Sequence, residues 1–289
     1  MIQRDFIIYC DGGFGNRLNN LVAGLLIADT MSYRPVIIWP INTWCGAAFA
    51  DIFTNTEYEV WNLELKDVIQ DPMRYCYWMT EDHLNIGMPN ISPLHQLDFI
   101  SVVKYLQSSS KPIFFHTPLI PSYLPFEYLA PFFNRLSYQS SIISETNKFL
   151  EQFSGTPLVG LHMRCSDIGL KDEQIAELYQ FAETRQDLQF FICSDNKEVE
   201  DKFISLPNAH SYLKTAYVEK LVDGSWNEMI LDNSGRPYPF NVNRSKQSVL
   251  DAIVDLLILS HTAIIKTSSS TFLNAAILMQ NARNGIYNQ

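Results

Sequence analysis

Short apolar runs alternate with a helical pattern near the start of the chain. Residues 6–10 form an apolar run of strand length that ends in polar and glycine residues at 11–13. Leucines then recur at helical spacing between residues 16 and 31, and residues 36–39 are apolar again. This order predicts a strand, a helix and a second strand, joined by the right-handed parallel crossover that such units favour.

The same alternation returns in the second half of the chain. Apolar runs at residues 157–161, 189–193 and 263–266 are each followed by a polar loop and a helical pattern. The middle of the chain gives no such pattern. Successive strand and helix units predict an α/β fold with parallel sheets. We expect two domains, at residues 1–153 and 154–289.

Composition restricts the classes of function. The chain has 289 residues, 47% of them hydrophobic, which is enough for two globular domains. Its net charge of −10 argues against non-specific binding of nucleic acid, which needs lysine and arginine at the phosphates. No apolar run reaches the roughly 18 residues of a membrane span. The five cysteines include no C-x-x-C pair, and the N-terminus lacks a secretory pattern, so we expect a soluble cytoplasmic protein, or a domain cut from an anchored one.

Polar side chains follow the predicted strand at 157–161. His162, Arg164 and Asp167 come directly after it. The carboxyl ends of parallel strands open into the ligand crevice of α/β folds, and the planar guanidinium of arginine matches a phosphate. The alternative is structural, with a satisfied histidine beside an ion pair of Arg164 with Asp167. The position at a strand end favours an anion site.

Two further predicted strand ends carry polar residues. Asp195 follows the run at 189–193, and Ser268, Ser269 and Ser270 follow the run at 263–266. Hydroxyls and backbone N–H groups before a helix can bind an oxyanion, although helix capping alone also explains such residues. The agreement of three strand ends predicts one anion site at the edge of a sheet.

A glycine-rich turn joins the first predicted strand to its helix. It contains Gly13, Gly15, Asn16 and Arg17, just after Asp11. Glycines let the backbone approach a ligand, and a helix N-terminus favours anions. The spacing lacks the full G-x-G-x-x-G pattern, which argues against a nicotinamide cofactor. A plain turn with Asn16 as the helix cap is the alternative.

A pair of carboxylates lies in the apolar helical pattern near residue 250. Asp251 and Asp255 are four residues apart, a spacing at which like charges repel. Asp255 is also near the unfavourable end of the helix dipole, so it is a candidate for hydrogen bonding to a base or sugar, with a solvated helix face as the alternative. The sequence has no D-x-D motif and no cluster at metal spacing, so no metal site is predicted.

Taken in order, these motifs resemble the superfamily of fucosyltransferases that use GDP-fucose. It includes α1,2- and α1,6-fucosyltransferases, the nodulation fucosyltransferase and protein O-fucosyltransferases. Residues 13–17 resemble its first motif, residues 160–164 its main donor motif, and residues 255–260 and 266–270 its last motif. The resemblance covers the first strand–helix–strand unit and most of the second half.

The resemblance implies a fold and a reaction. The fold would be GT-B-like, with two Rossmann-like βα domains facing a cleft. The reaction would be an inverting, metal-independent transfer of fucose from GDP-fucose to a hydroxyl of a glycan or protein. The GDP-sugar would be the donor substrate, with no separate cofactor.

The resemblance also implies residue roles. Arg164 would bind the β-phosphate and stabilise the departing diphosphate, and Asp255 would read the guanine edge. Asp11 is the candidate catalytic base, with a transfer that needs no strong base as the alternative. The other donor-binding residues would be Gly13, Gly15, Asn16 and Arg17 from the N-terminal, acceptor-side domain and His162, Asp167, Asp195, Ser268, Ser269 and Ser270 from the C-terminal domain.

The chain departs from the superfamily at one position. Several relatives have two adjacent arginines where this chain has Arg164 and Cys165. Arg17 and Lys266 are the candidates to supply the missing charge. Two alternatives stay open: a transferase for another nucleotide sugar, and a catalytically inactive module of the same fold that binds nucleotides or glycans.

Overall fold

The computed structural model describes most of the chain, and the described residues are 4–63, 67, 76–79, 99–117, 124, 126–166, 169–231, 237–238 and 241–285. The chain divides into two compact units. The first consists of Met1–Ile41, Ala48–Ser137 and Asn281–Gln289, and the second of Asn42–Ala47 and Tyr138–Gln280. The second unit therefore begins before the expected boundary at residue 153.

A parallel sheet organises the first unit. Among the described residues its strand order is β3-β2-β1-β5-β4. The strands and helices of this unit are β1 (Asp5–Tyr9), α1 (Phe14–Met31), β2 (Arg34–Ile38), α2 (Phe49–Ile52), β3 (Glu59–Trp61), β4 (Cys76–Met79), α3 (Phe99–Ser108), β5 (Ile113–His116) and α4 (Phe126–Arg135). The predicted strand–helix–strand unit at the N-terminus is confirmed as β1, α1 and β2, with β1 and β2 parallel.

The second unit contains a parallel sheet of order β11-β6-β7-β8 and an antiparallel pair, β9 with β10, in its described part. Helix α5 packs on α8, which explains why α5 belongs to this unit. The elements are α5 (Ser140–Glu151), β6 (Leu158–Met163), α6 (Asp172–Thr184), β7 (Gln189–Ser194), α7 (Lys197–Ile204), β8 (Ala209–His210), β9 (Ile230–Leu231), β10 (Pro237–Tyr238), α8 (Lys246–Leu259), β11 (Ala263–Ile265) and α9 (Thr271–Asn284).

Strand β6 buries both of its faces, because successive side chains point to opposite sides of a sheet. Leu161 and Met163 pack into an apolar cluster with residues of α6 and α7. Gly160 faces the other side, where a Cβ would lie 2.1 Å from Oγ1 of Thr262 and 2.5 Å from Cδ1 of Leu259. The end of α8 therefore packs directly on the backbone of β6.

None of the described helices is both long enough and apolar enough to cross a lipid bilayer.

Candidate functional site

His162 lies near the carboxyl end of β6, on the side of the sheet that Gly160 faces, and Arg164 follows the strand close enough for its charge to act on His162. The alternation along the strand places His162 there, and its side chain is only 6% exposed. Its Nδ1 atom has no hydrogen-bond partner. Arg164 is half-buried and follows the last residue of the strand. A buried ring nitrogen beside an arginine is typical of a site that a polar ligand completes.

The surroundings of His162 keep its imidazole neutral. Burial, together with the charges of Arg164 and Lys214, lowers the pKa of His162 to about 3. The ring stacks on Phe272 with centroids 5.2 Å apart. The hydroxyl of Thr267 donates to the backbone oxygen of His162. A neutral imidazole can donate one hydrogen bond to an anion without adding charge.

The serine run leads into α9 beside the same histidine. Ser270 is 9% exposed, and its Oγ atom has no hydrogen-bond partner. Its backbone N–H donates to Oγ of Ser268 at 3.3 Å, and its backbone oxygen accepts from N of Asn274 at 2.9 Å. Ser269 is exposed. Since Phe272 stacks on His162, the N-terminus of α9 lies next to the imidazole.

These groups form a candidate anion-binding site within the second unit, defined by His162, Arg164, Ser268, Ser269 and Ser270. It combines a guanidinium, two buried polar atoms without a hydrogen-bond partner and the N-terminus of a 14-residue helix. Each of these features stabilises an oxyanion. Two of the three predicted strand ends form this site, and the third lies beside them, because β7 pairs with β6 as far as Ser194 opposite Met163. Asp167, predicted as part of this pocket, lies outside the described residues.

Asp195, at the third strand end, shapes the loop after β6. One of its carboxylate oxygens accepts from N of Cys165 at 2.6 Å, and the other accepts from Oγ of Ser166 at 2.5 Å. Both oxygens are therefore engaged within the protein. Asp195 therefore positions the loop that carries Arg164, and its contact with the donor stays a prediction.

Asp255 lies in a buried charge cluster with Lys214 and Glu200. It is 1% exposed, and one of its oxygens lies 2.7 Å from Nζ of Lys214. Lys214 also pairs with Glu200 and donates to the backbone oxygen of Ser194 at 2.8 Å. The Oδ1 atom of Asp255 is buried and has no hydrogen-bond partner. The contact of Asp255 with a guanine edge stays a prediction.

The charge cluster contains two carboxyl groups and one ammonium. Burial raises the pKa of Asp255 to about 7, although the Lys214 ammonium opposes this shift. The two carboxylates raise the pKa of Lys214 above its ordinary value. The two raised pKa values have one cause. Two carboxylates and one ammonium leave a net negative charge in a low-dielectric interior, and a proton on Asp255 neutralises it.

Sequence reasoning missed Lys214 and Glu200. Lys214 lies in an irregular segment after β8, and Glu200 is one of several acidic residues in the first turns of α7. No local pattern marks either as buried. Tyr217 donates to Glu200 at 2.6 Å, so the cluster depends on a segment without periodicity.

Cys165 points away from the anion-binding site. It packs against the apolar cluster formed by Leu161 and Met163, on the opposite side of β6. Burial raises the pKa of its thiol to about 11, so the group is neutral at physiological pH. The hydroxyl of Ser194 lies 3.7 Å from its sulfur. Cys165 therefore supplies no charge to an anion.

The glycine turn of the first unit is a tight turn before α1. Gly12 has a φ of +80°, in the left-handed region that favours glycine, and Gly13 is the residue that precedes the helix. Gly15 is already helical and buried, and half-buried Asn16 lies in the first turn. The alternative with Asn16 as the helix cap is wrong, because Gly13 holds that position.

Arg17 is fully buried in this turn. Its guanidinium donates to the backbone oxygens of Gly12 at 2.7 Å and Pro40 at 2.6 Å. It also lies 3.8 Å from Asp11, whose side chain is 14% exposed. The guanidinium therefore joins the loops after β1 and β2, and its contact with a donor stays a prediction.

Among the described residues, no group of three histidine, cysteine, aspartate or glutamate side chains is placed to hold a metal ion.

No protein-family model matches the chain, and no curated protein matches it. Solved structures match nearly all of it. The structure of NodZ α-1,6-fucosyltransferase with GDP covers 96% of this chain and 93% of its own, at 16% identity and a TM-score of 0.63; NodZ has been solved from Bradyrhizobium. The structure of a variant of Arabidopsis thaliana FUT1 with GDP matches 96% of this chain and 68% of the FUT1 chain, at 10% identity and a TM-score of 0.54. The structure of POFUT1 without ligand matches 96% of this chain and 95% of the POFUT1 chain, at 12% identity and a TM-score of 0.51.

These matches confirm the predicted GT-B-like α/β fold, with two parallel sheets and their helices. At this level of identity the likeness concerns the fold.

The charge cluster predicts a specific pH dependence of stability. Because folding raises the pKa of Asp255 from an ordinary value of 3.8 to about 7, the folded chain holds a proton that the unfolded chain has lost between these values. This group's contribution to the free energy of unfolding should therefore fall as the pH rises through that range. In chemical denaturation, the free energy of unfolding of Asp255→Asn should fall less with rising pH than that of the unmodified chain.

Asp201→Asn, an exposed position on α7, is the matched control and should keep the pH dependence of the unmodified chain. An equal fall in stability for Asp255→Asn and the unmodified chain would contradict the account of the cluster.

Proposed function

We propose that this chain is a glycosyltransferase that transfers fucose from GDP-fucose to a hydroxyl of a glycan or protein. The observation that carries the proposal is the anion-binding site of the second unit, where unpaired polar atoms of His162 and Ser270 lie at the N-terminus of α9 and Arg164 follows the strand that bears His162. NodZ, whose fold this chain has, was co-crystallised with GDP, and NodZ crystals were soaked with GDP-fucose. The site has the chemistry that a nucleotide diphosphate needs.

The residues of the site have complementary roles in this proposal. Arg164 binds the β-phosphate with its planar guanidinium, and Ser270 and the first N–H groups of α9 bind oxygens of the diphosphate. His162 donates a hydrogen bond from a neutral ring. Asp195 keeps the loop that bears Arg164 in place through its two hydrogen bonds. The second unit thus binds the donor, and the first unit receives the acceptor.

The proposed reaction is a direct displacement at C1 of fucose. The acceptor oxygen forms a bond to C1 while the bond from C1 to the β-phosphate oxygen breaks, so the configuration inverts. The electron pair leaves on the diphosphate, where the positive site stabilises it. The acceptor proton passes to a base, for which we retain Asp11 because its side chain is partly exposed. Charge stabilisation by protein groups supports a transfer that needs no metal.

Fewer residues of the chain support recognition of the guanine base than support binding of the diphosphate. One oxygen of Asp255 pairs with Lys214 and the other has no hydrogen-bond partner. The proposal of GDP is supported mainly by the GDP complexes of NodZ and of FUT1. A different nucleotide sugar is the nearest alternative, with the same diphosphate contacts and a different base.

One observation favours a catalytically inactive binding module instead. Cys165, at the position where several fucosyltransferases have a second arginine, is neutral and packed in the apolar cluster. A site with less positive charge stabilises a leaving diphosphate less well. Such a module would bind GDP-fucose without hydrolysing or transferring it.

Nucleotide binding is expected to stabilise the folded chain selectively. GDP and GDP-fucose, at about a hundredfold excess over their dissociation constants, should raise the Tm by roughly 5 °C, more than UDP or ADP do. In Arg164→Ala the affinity for GDP should fall roughly 10- to 100-fold, because a charge-assisted hydrogen bond is lost. A thermal-shift titration measures both effects.

Arg185→Ala, an exposed arginine in the same unit, is the matched control and should bind GDP as the unmodified chain does. Equal shifts for all nucleotides would overturn the guanine preference, and unchanged GDP binding by Arg164→Ala would overturn the site.

Transfer itself is expected to continue in the presence of a chelator. With GDP-fucose and a panel of glycan and peptide acceptors, the chain should release GDP and form a product of inverted configuration, at equal rates with and without EDTA. Mass spectrometry detects the product, and NMR gives its anomeric configuration. Loss of activity with EDTA and recovery with a divalent cation would contradict a metal-independent reaction; retained configuration would contradict direct displacement.

A further inference from the structure

Lys266 lies beside His162 at the edge of the second sheet. Strands β11 and β6 are parallel, with Ile264 opposite Gly160 and Ile265 opposite Leu161. One further step in this register sets Lys266 opposite His162. The hydroxyl of Thr267 donates to the backbone oxygen of His162, so the two chains stay close beyond the last paired residues.

The register also fixes the side of the sheet on which Lys266 lies. Opposite residues of paired strands project to the same side, and successive residues alternate. Ile265 and Leu161 contact the apolar cluster of α6 and α7. Lys266 and His162 therefore share the other side, the side of the anion-binding site.

The Lys266 ammonium has no internal partner in the described part of the chain. Its side chain is exposed, and it makes no hydrogen bond or ion pair with a described residue. Two other cations are engaged elsewhere: Arg17 holds the loops of the first unit, and Lys214 pairs with Glu200 and Asp255. Lys266 can therefore bind a ligand without breaking a hydrogen bond or ion pair to a described residue.

A diphosphate carries more charge than the other groups of the site can balance. Arg164 contributes one positive charge, and the N-terminus of α9 contributes about half of one. Burial and its cationic neighbours keep His162 neutral, and the thiol of Cys165 is neutral and points to the opposite side. A second cation would complete the balance.

We propose that Lys266 is the second cation that binds the diphosphate of the donor nucleotide. This inference rests on the proposed function of the site. Lysine acts as a point charge on a flexible stem, whereas arginine binds two oxygens in a fixed plane. Lys266 therefore adds attraction for the phosphates with little geometric demand, and this attraction weakens as salt increases because the group is exposed.

The test compares ligands that differ in phosphate. Isothermal titration calorimetry with GDP, GMP and guanosine is performed on the unmodified chain, Lys266→Ala, Lys266→Arg and the control Lys148→Ala, which removes an exposed lysine from α5. Lys266→Ala should bind GDP about tenfold more weakly, with a smaller effect on GMP and none on guanosine. Lys266→Arg should restore GDP binding, and added salt should reduce the difference between Lys266→Ala and the unmodified chain. Circular dichroism checks that each variant is folded.

The outcomes separate this inference from the proposed function. If the unmodified chain binds GDP and Arg164→Ala does not, but Lys266→Ala binds GDP as tightly as Lys148→Ala, the function stands and the role of Lys266 is overturned. An equal loss of GDP and guanosine binding in folded Lys266→Ala also overturns it, because the residue then acts on the shape of the site and not on phosphate. If the unmodified chain binds none of the nucleotides, the proposed function fails and the role of Lys266 fails with it.

Discussion

The packing of α8 on the backbone of β6 is the constraint on which the site depends. Gly160 has no side chain, so Thr262 and Leu259 approach the strand directly. His162 is two residues further along the strand, so it lies on the same side of β6 as these contacts, and its ring stacks on Phe272. A side chain at position 160 would push α8, β11 and the serine run away from β6. The anion-binding site therefore follows from one glycine in the middle of a strand.

The distribution of charge explains how a chain with a net charge of −10 can offer a positive site. The carboxylates near the site are engaged within the protein: Asp195 by Cys165 and Ser166, and Asp255 by Lys214. Half-buried Arg164 and exposed Lys266 lie in this region with the N-terminus of α9. A local excess of positive charge requires only that the nearby negative charges be neutralised internally.

Local pattern predicts the elements of this fold better than the roles of its charges. Strands β6, β7 and β11 were predictable because apolar runs and helical periodicity depend on neighbouring residues. The sharing of a site by His162, Arg164 and Ser270 followed from their places at parallel strand ends. The pairing of Asp255 was not predictable, because Lys214 lies far away in sequence. The burial of Arg17 was not predictable either, because a local glycine turn does not show that the loop after β2 covers the guanidinium. Lys214 in particular belongs to a segment without periodicity.

The domain boundary has a similar explanation. A turn follows α5, so the sequence predicts that α5 ends the first domain. The helix instead packs on α8, which lies about a hundred residues later in the chain. Helical periodicity shows that α5 has an apolar face and cannot show which sheet that face covers.

The most direct test of the central claim is a crystal structure of the chain with GDP. The account predicts electron density for the diphosphate at the carboxyl end of β6, with its oxygens within hydrogen-bond distance of the Arg164 guanidinium, Nδ1 of His162 and Oγ of Ser270. Density for GDP at any other place, with Nδ1 of His162 and Oγ of Ser270 still without a partner, would contradict it.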